Sequence, residues 1–506
     1  MSRLHLVPVV LLVAGCAIGP HYHRPDTAPP ARYRPPSAGE DSLQATYDTL
    51  AASGDSMAAR GLDTAGATRE TLPATAHPTF RLSDTTANLS WFDLFQDSVL
   101  KQLVVTAINN NRDVRIAAAT VQEYQALLGQ ATAGLFPSFT VTGQSGREKQ
   151  AFGSLSIPAV NYLQALANAS WELDFWGRLR NLRSTARANF LGQEESQRAV
   201  LLSLVSNVAT GYLQLRQLDL DLEIAKRTLA SRQETYRLSQ AKFDRGVIAE
   251  LDLRQFEGDV GEAAASVALY QKEIAQTENQ LSLLLGQAPD SIPRGRPLNE
   301  VLRAVDVPVG IPTALLERRP DVRQAEQQLR AATAGVGAAI GARLPKIILS
   351  GNFGFENFST TRWIPEGQFF SQNNQIYQVF AGVSIPIFDF GNLANQQHAA
   401  EARVVEARNA YEKAVLTALR DVNNYLAEIR LDRRQTVALQ AQVQALRIAY
   451  RLSKDRYDAG YAPYLDVLSA QRSLFNAEQS LVAAEFQALA GVVNLYQALG
   501  GGWSTP

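Results

Sequence analysis

Few residues in this 506-residue chain are equipped for chemistry, and their types exclude more than they allow. There is a single cysteine, Cys16, so neither an intrachain disulfide nor a multi-cysteine zinc site can form. Five histidines and two methionines leave few soft metal ligands. His21 and His23 flank Tyr22 in a proline-rich arm, where such a pair is expected to be solvated rather than ligating. Two carboxylate pairs stand close in sequence, Glu194 with Glu195 and Glu172 with Asp174. Adjacent helix residues diverge, and alternate strand residues share a face without a placed acid and base. No nucleophile–base pair, phosphate loop or histidine-rich metal helix accompanies them, so no catalytic residue, metal or soluble cofactor is expected. Lysine plus arginine total 48 against 49 acids, a formal charge of -1, which gives no basic field for nucleic acid.

Cys16 has a different chemistry in prospect. Arg3 precedes a short apolar run from Leu4 to Val13, and small residues lead directly to the cysteine, the form of a secretory signal over residues 1–15. That run is too short to cross a bilayer as a helix. Leu12-Val13-Ala14-Gly15-Cys16 resembles a bacterial lipoprotein box, in which cleavage exposes the cysteine for acylation by diacylglycerol and a fatty acid such as palmitate. Several acyl chains anchor firmly where one is marginal. Ala17, rather than an aspartate, favours the outer membrane. Residues 16–90 are read as an acylated tether, rich in proline, alanine, threonine and serine up to about Ser83.

The elements that must position any function come in two copies. Tyr236-Arg237-Leu238-Ser239, with Asp244, Gly246, Leu251 and Asp252, recurs as Tyr450-Arg451-Leu452-Ser453, with Asp458, Gly460, Leu465 and Asp466, 214 positions later. Asp113-Val114-Arg115 and Pro137 recur as Asp321-Val322-Arg323 and Pro345, 208 positions later. The extra residues of the second copy lie between Pro345 and Gly391, the partner of Gly177. This predicts repeat 1 over 91–300 and repeat 2 over 301–506.

Each copy opens with a helical segment, about 98–135 and 312–343, that stops at Pro137 or Pro345. Alternation then predicts strands within hairpins at 137–175 and 345–389. Leu163, Ala165, Ala167, Ala169, Trp171, Leu173 and Phe175 oppose Gln164, Asn168, Ser170, Glu172 and Asp174. Phe139 and Val141 oppose Ser138, Thr140, Thr142 and Gln144; Ile347, Leu349, Phe353 and Phe355 oppose Lys346, Ser350, Asn352 and Glu356. Tyr377, Val379, Ala381, Val383 and Ile385 form a fourth set.

Alternation alone fits soluble hairpins equally well. An exported, lipid-anchored chain without a later apolar run of about 18 residues crosses a membrane only as a closed barrel. Four strands cannot close one, since the smallest barrels have about eight, so a barrel must be shared between chains. Two chains would leave a filled interior and three a lumen.

After each hairpin the pattern turns helical, with no proline from Arg178 to Phe243 or from Leu393 to Ala462. At 1.5 Å per residue such a helix reaches roughly 100 Å. Gly246 and Gly460 then turn the chain into a second helix, ending near Leu285 or Leu499. The predicted fold is mainly α with membrane β: a long helical coiled-coil barrel plus a shared four-strands-per-chain β-barrel, from two internal repeats.

Three motifs carry a family resemblance. Cys16-Ala17-Ile18-Gly19-Pro20-His21-Tyr22 with Arg24-Pro25, Trp91-Phe92-Asp93-Leu94-Phe95-Gln96-Asp97, and Leu315-Leu316-Glu317-Arg318-Arg319-Pro320-Asp321-Val322-Arg323 resemble TolC-like outer-membrane efflux channels of the NodT-type lipoprotein branch. The arm from about Ser37 to Leu89 is longer than this family leads one to expect.

The resemblance implies a homotrimer in the outer membrane, lipid-anchored and extending into the periplasm. It implies the passive exit duct of a tripartite system, with a periplasmic adaptor (membrane fusion) protein and an inner-membrane pump of the RND type. It also implies multidrug or small toxic cargo, with two methionines arguing against metal ions.

By the same resemblance, the adaptor-docking tips are Gly246 with Val247 and Gly460 with Tyr461, and Tyr457 matches a gate tyrosine. Ala462 and Ser469 stand where some relatives carry a gate arginine and a further aspartate, implying a different latch. Glycine at a tip permits positive φ, serves as a helix C-cap, or does both. Asp252 and Asp466 read either as like-charge rings under threefold symmetry or as solvated aspartates favoured by a helix N-terminus. Two other readings share the sequence pattern: a periplasmic scaffold lipoprotein without a pore, and a same-fold duct for secreted protein.

Overall fold

A computed structural model describes residues 18–25, 94–149, 151–152, 155–156, 158–301, 318–359 and 369–501. Cys16, most of the 16–90 arm, and the first residues of two motifs (Trp91 to Asp93 and Leu315 to Glu317) lie outside the described residues.

The helices are α1 (Ser98–Asn110), α2 (Arg112–Ala133), α3 (Arg178–Phe243), α4 (Glu250–Leu284), α5 (Pro320–Ala342), α6 (Asn392–Asp458) and α7 (Tyr464–Ala498). The strands are β1 (Ser138–Glu148), β2 (Ala151–Phe152), β3 (Leu155–Ser156), β4 (Val160–Leu173), β5 (Lys346–Ser359) and β6 (Gln375–Ser384). The repeat is visible in lengths: α3 has 66 residues and α6 has 67, while α4 and α7 have 35 each.

The chain forms two compact units. One is made from the described parts of Met1–Asp26, Ala119–Glu195 and Gln324–Lys413; the other from those of Thr27–Ala118, Ser196–Arg323 and Ala414–Pro506. Each unit draws on both copies of the repeat.

In the first unit, β1, β4, β5 and β6 form one antiparallel sheet in the order β1-β4-β5-β6, and β2 pairs with β3 as a separate two-stranded ribbon. The predicted hairpins are therefore joined through β4 and β5. Register puts Val141, Ala167, Phe353 and Tyr377 in one row and Thr140, Asn168, Asn352 and Gln378 in the next. Since side chains alternate, one face collects the apolar set and the other the amides and hydroxyls.

The apolar face is bare: Phe139 is 78% exposed, Val141 81%, Tyr377 78% and Val379 77%. At about 25 cal/mol per Å2, that much apolar surface in water is unfavourable unless lipid or protein covers it. Among the described residues no helix is long and apolar enough to cross a membrane.

Strand ends differ from the prediction at two points. Phe175 and Asp174 lie beyond β4, and Ile385 beyond β6. Asp174 does not share the polar strand face with Glu172; its carboxylate caps α3, accepting from Leu179 N and Arg180 N at 2.9 Å each. Glu172 receives Arg178 through Nε at 3.0 Å and Nη2 at 2.7 Å. Asp389 repeats the capping role in the second copy, accepting from Gly391 N at 3.0 Å and Leu393 N at 2.8 Å.

The arm residues 18–25 lie along α5 in the same unit. Ile18 N donates to Trp176 O at 3.0 Å, and Asn181 Nδ2 donates to Ile18 O at 3.1 Å. A Cβ at Gly19 would meet Gly337 Cα at 2.6 Å, so the backbones touch where only glycine fits. Further on, Tyr22 Oη and Arg24 Nη2 donate to the Glu326 carboxylate at 2.9 and 2.7 Å. Arg330 donates to the same group at 2.8 Å and stacks over the Tyr22 ring. His21 and His23 are exposed.

The second unit holds the main core, in which Leu100, Val208, Tyr212, Leu213, Leu285, Val422 and Val493 are buried together. The continuous helix predicted over 98–135 is interrupted at Asn111, whose ψ of 135° leaves the helical region. Its side-chain oxygen accepts from Asp113 N at 2.8 Å and Val114 N at 3.1 Å, and its Nδ2 donates to Leu284 O at 2.9 Å. A tertiary partner thus rewards the break.

Asp97, fully buried, caps α1 through Val99 N at 2.8 Å and also accepts from Tyr212 Oη at 2.9 Å and Arg296 N at 2.8 Å. Gly295 is required beside it, because a Cβ there would meet Asp97 Oδ1 at 2.2 Å.

Candidate functional site

Each long helix ends in the same construction. Gly246 has φ +71° and donates to Phe243 O at 2.8 Å, while Val247 N reaches back to Lys242 O at 2.9 Å. Gly460 has φ +77° and donates to Tyr457 O at 2.9 Å, while Tyr461 N reaches Arg456 O at 2.8 Å. The paired bonds and left-handed glycine are a Schellman cap, so both glycines do serve as C-caps. Beside each, a Cβ would meet nothing within 4 Å, so the space is open as well.

Both turns present apolar side chains outward. Val247 is 67% exposed and Tyr461 80%; Leu251 and Leu465, four residues on, are 68% and 61%. Sequence reasoning passed over the two leucines, although they stand at equivalent repeat positions and are four residues from the docking candidates.

Asp252 and Asp466 both lie in the first turn of the returning helix, α4 or α7, where the macrodipole favours a carboxylate. Neither preceding residue, Ala249 or Pro463, supplies a side-chain cap. Asp252 is half-buried and Asp466 exposed.

Tyr457 links the two turns. Its ring packs edge-on against Tyr464 at 5.6 Å, and Lys242 Nζ of α3 lies 5.1 Å from its centroid. Tyr464 in turn packs at a tilt against Phe256 of α4, ring centroids 3.9 Å apart. Burial pushes the Tyr457 hydroxyl above its ordinary value, and the charges of Asp252 and Asp458 push it further. A cavity of about 170 Å3 opens here, lined by Lys242, Tyr450, Tyr457 and Tyr464 among others.

Two ion-pair networks brace the helices behind the turns, and the sequence did not announce them. Arg232, 4% exposed, donates to Glu262 at 2.8 Å and to Asp259 O at 2.9 Å, while Arg472 reaches both acids at 3.2 Å. Burial raises the Asp259 carboxyl despite Arg232 and Arg472. Burial acts the same way on Glu262, but the two arginines outweigh it and hold that group low. Glu478 takes Arg227 of α3 at 2.7 Å and Arg447 of α6 at 2.8 Å. Two guanidiniums thus share the one Glu478 carboxylate, which ties three helices together.

Comparison with known proteins decides what these turns belong to. The family model described as "Outer membrane efflux protein" matches residues 103–287 and 311–501. The chain belongs to the outer membrane efflux protein family. Its relatives include the solvent efflux pump outer membrane protein SrpC of Pseudomonas putida, 37% identical over 420 residues, 81% of this chain and 87% of that one. The cation efflux system protein CusC of Escherichia coli is 31% identical over 506 residues, covering 99% of this chain and all of that one. Among solved structures, the open outer-membrane channel MtrE of Neisseria gonorrhoeae superposes with a TM-score of 0.76 at 26% identity, over 96% of this chain and 98% of that one. This member of the efflux family is an outer-membrane channel component, with the fold that the resemblance implied.

Proposed function

We propose that the chain is the outer-membrane exit duct of a tripartite efflux pump for small toxic organic compounds, working as a homotrimer. Three sheets close into a twelve-stranded barrel, and α3, α4, α6 and α7 of three chains wall a periplasmic tunnel. The observation that carries this reading is the sheet itself. Among the described residues β1 and β6 each pair on one side only, and the face they share is apolar and exposed. A closed barrel removes both edges and gives the apolar face to lipid.

In this reading Cys16 carries the lipid anchor. Ile18, two residues on, is hydrogen-bonded at Trp176, just past the end of β4, which supports an anchor at the same membrane boundary. The turns at Gly246–Val247 and Gly460–Tyr461 dock a periplasmic adaptor protein, with Leu251 and Leu465 adding apolar surface. Tyr457, Asp252 and Asp466 form the gate, where the tyrosine already bridges α3 and α7. An inner-membrane pump of the RND type supplies the energy. A solvent efflux relative at 37% identity and two methionines favour organic cargo over soft metal ions.

Gly460→Trp tests the docking assignment. Its bulk projects into open space at the turn, and the left-handed φ costs a non-glycine residue only about 1–2 kcal/mol at a helix end, so trimer yield is expected to hold while export and resistance fall to the level of a strain lacking the channel. Normal resistance with an intact trimer would remove the docking role.

A further inference from the structure

The polar face of the sheet has an unusual charge content. Register lines up Ser138, Ser170, Ser350 and Phe380 in one row, Thr140, Asn168, Asn352 and Gln378 in the next, then Thr142, Leu166, Gly354 and Ile376, then Gln144, Gln164 and Glu356. Hydrogen bonds run across these rows: Asn168 Nδ2 to Thr142 Oγ1 at 3.0 Å, Asn352 Nδ2 to Gln378 Oε1 at 3.2 Å, and Gln164 Nε2 to Glu356 Oε1 at 3.3 Å. Tyr162 and Phe358 pair in the row beyond, and the Tyr162 ring lies over Gly146. From the serine row to this aromatic row, Glu356 is the one charged residue on the face.

Glu172, nearer the helices, is matched by Arg178 through two hydrogen bonds. Glu356 has an amide partner and, among the described residues, no cation in contact. No described residue neutralises the charge that Gln164 holds in place.

We propose that Glu356 sets the charge preference of the exit lumen, so that uncharged and cationic amphiphiles pass in preference to anions. The inference rests on the barrel reading above. Amide and hydroxyl rows replace water around a polar solute, aromatic rows accept an apolar ring, and one ring of three carboxylates selects the sign of charge. Three carboxylates about 10 Å from the axis, screened over a Debye length of about 10 Å at 0.1 M salt, change the cation-to-anion ratio roughly fourfold.

The test is reversal potential in a KCl gradient, on acylated trimers of the full chain in planar bilayers. Glu356→Gln, nearly isosteric and keeping a partner for Gln164, is expected to lower the K+/Cl− permeability ratio roughly fourfold. Glu356→Lys lowers it further, and Gln378→Glu, which adds a carboxylate to a nearby row, raises it. That gain is the control showing that the face lines the conducting path. In cells, Glu356→Lys should lower export of a cationic dye relative to an uncharged solute. Conducting trimers whose ratio is unchanged in both Glu356 variants would overturn this proposal and leave the barrel standing. A full chain that stays a soluble single chain without detergent and does not insert would overturn the barrel reading instead.

Discussion

Asp221 offers a stability test whose sign and size both follow from its surroundings. It lies in α3 and is 4% exposed. One carboxylate oxygen accepts from Gln217 Nε2 at a long 3.4 Å, and the other has no hydrogen-bond partner among the described residues. Burial pushes its carboxyl up to about 6, with the negative charge of Glu273 adding to the rise and Gln217 only partly offsetting it. An ordinary aspartate sits near 3.8. Because the folded value is the higher one, the folded chain holds the proton more tightly than the unfolded chain. Stability from this residue is complete below about 3.8 and is lost as pH rises to about 6. Above that, the ionised group burdens the fold by roughly 3 kcal/mol per chain, at about 1.4 kcal/mol for each tenfold step.

Asp221→Asn keeps the shape and the Gln217 contact and removes the charge. At about 1 kcal/mol per degree of unfolding entropy for a chain of this size, the variant should melt roughly 3 °C higher than wild type at pH 8. The difference should shrink to near zero at pH 4. Scanning calorimetry of the purified protein at fixed scan rate across pH 4 to 8 reads both. A variant no more stable than wild type at pH 8, or an advantage that persists unchanged at pH 4, would refute the argument from burial.

Three further outcomes are expected. Asp97→Ala leaves Tyr212 Oη and the Val99 and Arg296 amides without their acceptor in a buried site, which should destabilise by roughly 3–5 kcal/mol; unaltered melting would contradict the assigned hub. Glu326→Ala removes the acceptor shared by Tyr22, Arg24 and Arg330, and hydrogen exchange at residues 18–25 should speed by roughly tenfold while the sheet is unaffected. Unchanged exchange there would mean that the arm is held by the Ile18 and Gly19 contacts alone. Asp252→Ala combined with Asp466→Ala should weaken cation block from the helix-turn side of the channel; if block is unchanged, both residues are helix-terminal aspartates and nothing more.

Much of the architecture was legible because its signals are local. The proline-free runs gave the long helices, alternation gave the faces of the strands, and repeated glycines gave the turns. Asn111 was not legible as a helix break, since its gain comes from Leu284, 173 residues away. Alternation states which way a side chain points but not which strand is the neighbour, so the β4–β5 pairing that joins the two hairpins into one sheet needed the fold.

The bracing networks behind the turns were hidden for another reason. Asp259, Glu262 and Arg472 align with Ser473, Asn476 and Gly258 across the repeat, and Glu478 with Ala264, so a search for what the two copies share passes over them. These are the places where the copies have diverged to hold each other. The tip leucines are the opposite case: the repeat carried them, but exposure was needed to single them out.

The most direct test of the account is the native mass of the acylated protein extracted from the outer membrane in mild detergent. The account predicts three chains, each with lipid mass on Cys16, in a particle that conducts when reconstituted. A soluble single chain, stable without detergent, would mean that the apolar face of the sheet packs in water and that there is no shared barrel.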